Sequence, residues 1–382
     1  MIDRRSRVAV FVSFSGRGGV EKMVVNLLRG FIAEGVDVDL VLAREAGPHG
    51  AGIPRGVNVV RLGSGHTYTA LPALVRYLRR ARPDALLAAK DRAAKVAIVA
   101  RRLAGVDTKI VLRIGTTVSA ALAGRGRLRR WAWTASMRLF YPGADLVVAV
   151  SRGVADDVAA ITGLPPGRLR VIANPVVDPA LADRGRVVPA HPWFAGDGPP
   201  VVLGAGRLTR QKDFPTLIRA FAAVRRTRPA RLVILGEGRT RGECQALAED
   251  LGAAGDVDLP GFVDDPVPFM GHAAVFVLSS LWEGSPNVLT EALALGTPVV
   301  ATDCPSGPRE ILAGGEVAPL VAPGDHEAMA RAILDVLDRP PPPERLRAAA
   351  KGYSIQESSR AYLDALGVEG PRSKVRGSGC EE

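Results

Sequence analysis

The sequence predicts two doubly wound α/β domains in series, each a parallel sheet covered by helices, the two facing a central cleft. Three observations carry this. Short apolar runs rich in Val, Leu and Ile alternate with helical stretches along the chain, the pattern of strands buried on both faces and joined by crossover helices. The alternation occurs twice, on either side of a proline-rich break, without repetition of sequence. A chain of 382 residues, 47% apolar and 23% charged, holds two cores and is not the composition of a disordered protein.

Taken in order, strands are expected at 8–14, 36–42, 57–62, 85–88, 110–114 and 146–150, with helices at 20–34, 71–82, 92–104, 128–141 and 153–161. The run 8–14 follows Arg4, Arg5 and Arg7 as the apolar part of a signal peptide would. It is too short for one, and no small-residue cleavage site follows. No stretch approaches the ~18 apolar residues needed to span a bilayer, so a cytoplasmic protein is expected. Pro175, Pro179, Pro189, Pro192, Pro199 and Pro200 then forbid a continuous helix or strand. The second series has strands at 201–203, 232–235, 275–278 and 299–301 and helices at 214–226, 241–251 and 288–295. Pro340 to Pro343 precede a last helix at 355–366, and the polar, glycine-rich end from Gly367 is expected to fray. The domains expected are 1–180 and 200–352, joined by a linker at 181–199 and followed by a terminal helical segment at 353–366 and a flexible tail at 367–382.

Cys244, Cys304 and Cys380 form no C-x-x-C pair and the five histidines are scattered, so neither a disulfide framework nor a metal cage is expected. Charge is unevenly spread. Residues 1–190 hold 30 Lys and Arg against 14 Asp and Glu, a formal +16, and the remainder 20 against 25, a formal −5. The first domain is therefore expected to face something anionic: nucleic acid, a lipid headgroup or a phosphorylated substrate.

In sheets of this class ligands bind outside the carboxyl ends of the strands, so the loops after strands carry the candidate chemistry. Ser15 to Glu21 contains Gly18 and Gly19 at a helix start, where backbone N–H groups can approach an anion; a plain strand-to-helix turn explains it equally well. Gly204 to Asp213 adds Arg207 and Lys212, a planar fork and a point charge suited to phosphate oxygens. The turns at Gly236 and at Gly261 to Asp265, including Val263, offer backbone groups to a nucleobase edge, or are only turns. In the segment from Trp282, Pro286 suits a first helical turn and Gly296 a helix end. Ser285 precedes a helix N-terminus at which the N–H groups of Asn287, Val288 and Leu289 form an anion site fit for a pyrophosphate. Glu291 follows one turn later, and Glu283 lies in the loop before. Carboxylates beside a phosphate site are best explained as accepting hydrogen bonds from sugar or ribose hydroxyls.

As an ordered set, Gly206-Arg207 through Lys212, Gly236-Glu237-Gly238, Gly261-Phe262 and the run from Glu283 to Glu291 resembles the retaining family-4 glycosyltransferases (glycosyl transferases group 1) of the GT-B fold. Val148 to Ser151 and Ile172 to Pro175 fit the same pattern. The resemblance implies two Rossmann-like domains and a nucleotide-sugar donor, with UDP the preferred nucleotide. Arg207 and Lys212 would hold its diphosphate, Glu291 the ribose and Glu283 the sugar, while Gly18-Gly19 closes from the other side and the last helix crosses back to the first domain. It implies retention, no cofactor and no metal. Two D-x-D triplets, Asp37 to Asp39 and Asp256 to Asp258, abut strand starts and are expected to be strand-edge surface charges. Many such enzymes carry a histidine after a first-domain strand where this chain has Leu112 to Thr117. His66 or Arg113 can fill that acceptor-side region, although a structural role suits each better.

The expected activity is transfer of a sugar from a nucleotide diphosphate to a carbohydrate or lipid-linked glycan, in lipopolysaccharide, exopolysaccharide or other cell-envelope synthesis. An epimerase or hydrolase of nucleotide sugars on the same fold is the alternative; a basic nucleic-acid-binding protein is disfavoured by the lack of any nucleic-acid motif. Finally, Leu128, Trp131, Ala132, Ala135 and Leu139 form one helical stripe and Trp133, Met137 and Phe140 another, behind a cluster of arginines. Such a helix either rests on an anionic membrane, at the inner face of the cytoplasmic membrane, or is buried with a basic collar.

Overall fold

The computed structural model describes residues 6–14, 18–43 and 52–368. They fall into two units: one running to Pro175 and resuming at Ser354, the other Val176–Tyr353.

The first unit runs β1 (Arg7–Val12), α1 (Gly19–Ala33), β2 (Asp37–Leu42), β3 (Asn58–Arg61), α2 (Leu71–Ala81), β4 (Ala85–Ala88), α3 (Asp91–Ala104), β5 (Lys109–Ile114), α4 (Val118–Leu122), α5 (Arg127–Phe140), β6 (Leu146–Ala149), α6 (Arg152–Thr162) and β7 (Leu169–Val171). Its seven strands pair in parallel in the order β3-β2-β1-β4-β5-β6-β7. Alternate β1 residues feed opposite cores: Ala9 and Phe11 face the cluster under α2 and α3, Val8, Val10 and Val12 the cluster under α1. This two-sided burial is why the strand reads as an unbroken apolar run.

The second unit runs α7 (Leu181–Gly185), β8 (Val201–Ala205), α8 (Phe214–Thr227), β9 (Arg231–Leu235), α9 (Arg241–Asp250), β10 (Val257–Gly261), α10 (Val267–His272), β11 (Val275–Leu278), α11 (Asn287–Leu295), β12 (Val299–Thr302), α12 (Pro308–Ile311), β13 (Leu320–Val321), α13 (His326–Asp338) and α14 (Pro343–Ala349). Its six strands are parallel in the order β10-β9-β8-β11-β12-β13. The last helix, α15 (Ile355–Leu366), belongs to the first unit, where Arg360 Nε donates to Glu34 Oε1 of the α1 C-cap at 2.8 Å.

Two expectations need correction. Residues 181–199 are not a free linker but part of the second unit: Arg184 pairs with Asp265, His191 Nε2 lies 2.9 Å from Asp258 Oδ2, and the rings of Phe194 and Phe269 stand 5.4 Å apart, edge to face. Prolines forbid a continuous regular element without forbidding packing. Val368, expected in the flexible tail, is packed, being 4% exposed with its N–H bonded to Leu363 O. Residues 369–382 lie outside the described residues.

Candidate active site

A doubly wound sheet opens a crevice where its strand order reverses, because the loops after the two strands diverge to opposite faces. In the second unit those strands are β8 and β11. Lys212, in the loop after β8, donates to Glu283, in the loop after β11, with Nζ 2.6 Å from Oε1. Ser280 Oγ donates to the same oxygen at 2.7 Å. The Lys212 and Glu283 side chains are only 16% and 9% exposed. Backbone contacts fix the two loops to each other: Leu281 N–H donates to Gln211 O at 2.8 Å, Gln211 Nε2 to Trp282 O at 3.0 Å, and Ser279 Oγ to Lys212 O at 2.7 Å. The Lys212 stem crosses Gly206, where a Cβ would stand 3.0 Å from Cε. Arg207, next in the chain, is exposed and forms no ion pair among the described residues.

Pro286 stands one residue before α11, as its N-cap, and not in the first turn. Its carbonyl accepts the Leu289 N–H at 3.1 Å and the Thr290 N–H at 3.3 Å. Leu289, expected at the anion site, is thus a core residue with its N–H committed and its side chain fully buried. Asn287 and Val288 occupy the first two helical positions, half-buried, with Ser285 half-buried just before them. Glu291 is 2% exposed, one turn into the helix. Near it, Arg184 is held by Asp265 at 2.9 Å from Nε to Oδ2. That hydrogen bond raises the Arg184 pKa, and the charge of Glu291 acts in the same direction.

Gly236, whose loop was expected either to offer backbone groups to a nucleobase edge or to be only a turn, gives its N–H to Gly261 O at 2.7 Å. Its φ is 138°, and a Cβ there would overlap the carbonyl of Gly206. This glycine packs one loop on another. Val263 lies half-buried beyond β10. Cys304 is buried beside the pair; burial, then the charge of Glu283, pushes its thiol up to about 12. It stays protonated near neutral pH and is no nucleophile.

In the first unit the order reverses between β1 and β4. There Lys90 Nζ donates to Glu21 Oε1 at 2.8 Å and to Ser13 O at 2.9 Å. Glu21 is 3% exposed, and a Cβ on Gly18 would stand 2.5 Å from its Oε2. The N-terminus of α1, opened by Gly19, therefore already holds a carboxylate where a donor anion was expected; Ser15, Gly16 and Arg17 lie outside the described residues. His66 is exposed beyond β3, its ring 5.4 Å from that of Tyr68 and its Nε2 3.4 Å from Arg92 NH1.

Arg113, the other candidate for the acceptor side, is enclosed within the first unit. It is 3% exposed, and NH2 donates to Asn174 Oδ1 at 2.7 Å. Burial pulls its pKa below the usual arginine value, while Tyr362 of α15, against the guanidinium, acts the other way. Arg113→Ala is expected to destabilise the first unit by about 2–4 kcal/mol, by removing the hydrogen bond to Asn174 Oδ1 and opening a cavity under Tyr362. Urea unfolding measures this; an unmoved midpoint with lost activity would return Arg113 to the site.

The D-x-D triplets are structural, but they are not surface charges throughout. Asp39 is 4% exposed and accepts from Tyr77 Oη at 2.6 Å and Asn58 Nδ2 at 2.8 Å. Asp256 pairs with Arg225 and Asp258 with His191. Reading the sequence missed Ser280, the Lys90–Glu21 pair and Arg184. Lys90 had a visible signal, since it stands two residues past a buried strand.

Comparison with known proteins gives the family and the fold. The family model described as glycosyl transferases group 1 matches residues 192–353, and that described as Glycosyltransferase Family 4 matches residues 17–178. The chain is 30% identical, over 92% of its length and 95% of the relative's, to the lipopolysaccharide core biosynthesis glycosyltransferase LpsE of Rhizobium meliloti. It is 29% identical, over 70% of its length and 68% of the relative's, to the N-acetylgalactosamine-N,N'-diacetylbacillosaminyl-diphospho-undecaprenol 4-alpha-N-acetylgalactosaminyltransferase of Campylobacter jejuni. Among solved structures it is similar to HepE of Anabaena in complex with UDP-glucose, with a TM-score of 0.70, 18% identity and coverage of 97% of this chain and 99% of that one.

Proposed function

We propose that this chain, which belongs to the group 1 glycosyl transferases of the GT-B fold, moves a sugar from a nucleotide diphosphate sugar to a hydroxyl of a cell-envelope glycan. The observation that carries the reading is the Lys212–Glu283 pair at the strand-order reversal of the second unit, with Arg207 exposed beside it and Glu291 buried in α11. An ammonium has three donors, so Lys212 can keep Glu283 and still meet a phosphate oxygen. Together with Arg207 and the first turn of α11 it neutralises the departing diphosphate, which is the task a divalent cation performs elsewhere. Glu283 then orients the sugar hydroxyls and Glu291 the ribose. The bond from the anomeric carbon to the diphosphate oxygen breaks as the acceptor oxygen bonds from the same face, with retention, and the acceptor's hydroxyl proton passes to the departing diphosphate oxygen.

UDP is the nucleotide proposed, a choice supported by the UDP-glucose bound to HepE. A lipopolysaccharide or lipid-linked acceptor is supported by the names of the Rhizobium and Campylobacter relatives. The test incubates the protein with UDP-, GDP- and ADP-sugars in EDTA, with and without bacterial lipid extract. Release of UDP from one donor is expected, dependent on the extract and unchanged by EDTA, with an α-anomeric product by NMR. Equal release without the extract would make the protein a hydrolase, an epimeric nucleotide sugar by NMR in place of release would make it an epimerase, loss of release in EDTA would refute the metal-free mechanism, and an inverted product would refute retention. No release and no nucleotide binding by calorimetry would remove the donor site.

A further inference from the structure

The helix α5 has already met its structural obligations on one face. Met137 is fully buried, Trp133 and Phe140 pack on the core beneath, and Lys95 Nζ stands 5.2 Å from the centre of the Trp133 ring. On the other face Leu128, Trp131 and Leu139 are 77%, 68% and 75% exposed, the three most exposed large apolar side chains among the described residues. Their spacing of three and eight places them on one stripe with Ala132 and Ala135. Toward its end the stripe continues into an open groove between α3 and α5, lined by Ile98, Val99, Arg102, Leu139 and Phe140. Single exposed apolar residues are ordinary; a contiguous row of this size marks a surface that is covered in use.

The charge around it says by what. Residues 108–144 contain seven Lys or Arg and no Asp or Glu. Arg125, Arg127, Arg129, Arg130 and Arg138 are all exposed. A second copy of the chain would set this row of arginines against itself, because a two-fold contact pairs a patch with its own kind. A nucleic acid would meet the arginines and leave two leucines and a tryptophan in water. A surface that is apolar at depth and anionic at its boundary meets both. No helix among the described residues is long and apolar enough to cross a membrane, so a contact made by α5 would be with the surface of one.

We propose that the outer face of α5 docks on an anionic lipid bilayer, with Leu128, Trp131 and Leu139 at the level of the acyl chains and the flanking arginines on the lipid phosphates. The assignment stands on this face alone and does not rest on the transferase reading.

The test is co-sedimentation of the full chain with vesicles of phosphatidylglycerol and phosphatidylcholine, against vesicles of phosphatidylcholine alone. Binding to the anionic vesicles is expected to be at least about tenfold stronger and to weaken with salt. Trp131→Glu is expected to reduce it by about tenfold or more, and the pair Arg129→Ser and Arg130→Ser to reduce both binding and its salt dependence. Brominated acyl chains should quench the wild-type fluorescence, and Trp131→Phe should lose that quenching. All three substituted positions are exposed, so thermal unfolding is expected to be unchanged and confirms that each variant is folded. Equal binding by Trp131→Glu, or equal binding to both kinds of vesicle, would overturn the proposal. So would absence of vesicle binding, including the case in which Trp131→Glu abolishes self-association or capture of an acidic protein.

Discussion

Replacing Lys212 by alanine is expected to lower turnover by about two to three orders of magnitude, the effect of removing one cation aimed at charge that develops in the transition state. Because that charge grows as the diphosphate departs, kcat and kcat/KM should fall together, while ground-state affinity for the nucleotide falls less. The variant also disturbs the fold locally. Glu283 is 7% exposed and would keep Ser280 as a donor but lose its ion-pair partner, and breaking a buried pair costs about 3–5 kcal/mol. Lys212→Gln separates the two effects, since its amide can still donate to Glu283 without supplying a charge. It should unfold nearer the wild-type midpoint and be as inactive as the alanine variant. Wild-type turnover in a folded Lys212→Gln protein would show that the Lys212–Glu283 pair is architecture and that the diphosphate is stabilised elsewhere.

The parts of this fold that were legible in the sequence are those whose burial is complete. β4 and β11 sit mid-sheet with every residue buried, and their bounds could be read directly because an apolar run flanked by turns has few other destinations. The strands not foreseen are short or at sheet edges. β13 has two residues, β7 is Leu-Arg-Val with two of the three exposed, and β10 carries Asp258 and Pro260 and shifts register against β9. Their pairing comes from the neighbouring strand and not from their own pattern. The site divides in the same way. Residue types at strand ends pointed to Lys212 and Glu283, but that the two touch across 71 positions is a consequence of β8 and β11 being neighbours, and only the strand order contains it. The glycine loops at Gly18 and Gly236 admitted a ligand, an anion at the first and a nucleobase edge at the second, because glycine permits close approach of anything; here Gly236 is approached by the backbone of Gly206, and Gly18 by the carboxylate of Glu21. Arg113, for which a structural role already suited better than an acceptor-side one, fits that structural role. A charge near the end of a strand buried on both faces needs an internal partner, and Asn174 is such a partner.

The second large effect is expected at Glu291, and its value lies in how little else it should disturb. If this carboxylate accepts from the two ribose hydroxyls, Glu291→Ala removes hydrogen bonds to a charged acceptor worth about 2–3 kcal/mol in all, so nucleotide affinity should fall roughly 30- to 150-fold. The same loss should appear for free UDP and for the UDP-sugar, because the ribose is common to both, and kcat at saturating donor should change far less than KM. The neighbouring cation limits structural damage. Arg184 loses a favourable charge when Glu291 is removed but keeps Asp265 on its guanidinium, so no cation is stranded in the interior. Glu291→Gln sharpens the test, since the amide retains one acceptor oxygen and should recover part of the affinity. Calorimetry with UDP and with deoxyribose-containing dUDP completes the cycle. The wild type should prefer UDP and the alanine variant should not. If Glu291→Ala binds UDP as the wild type does, or keeps the same preference over dUDP, the buried carboxylate serves the field around Arg184 and the ribose is held by another group.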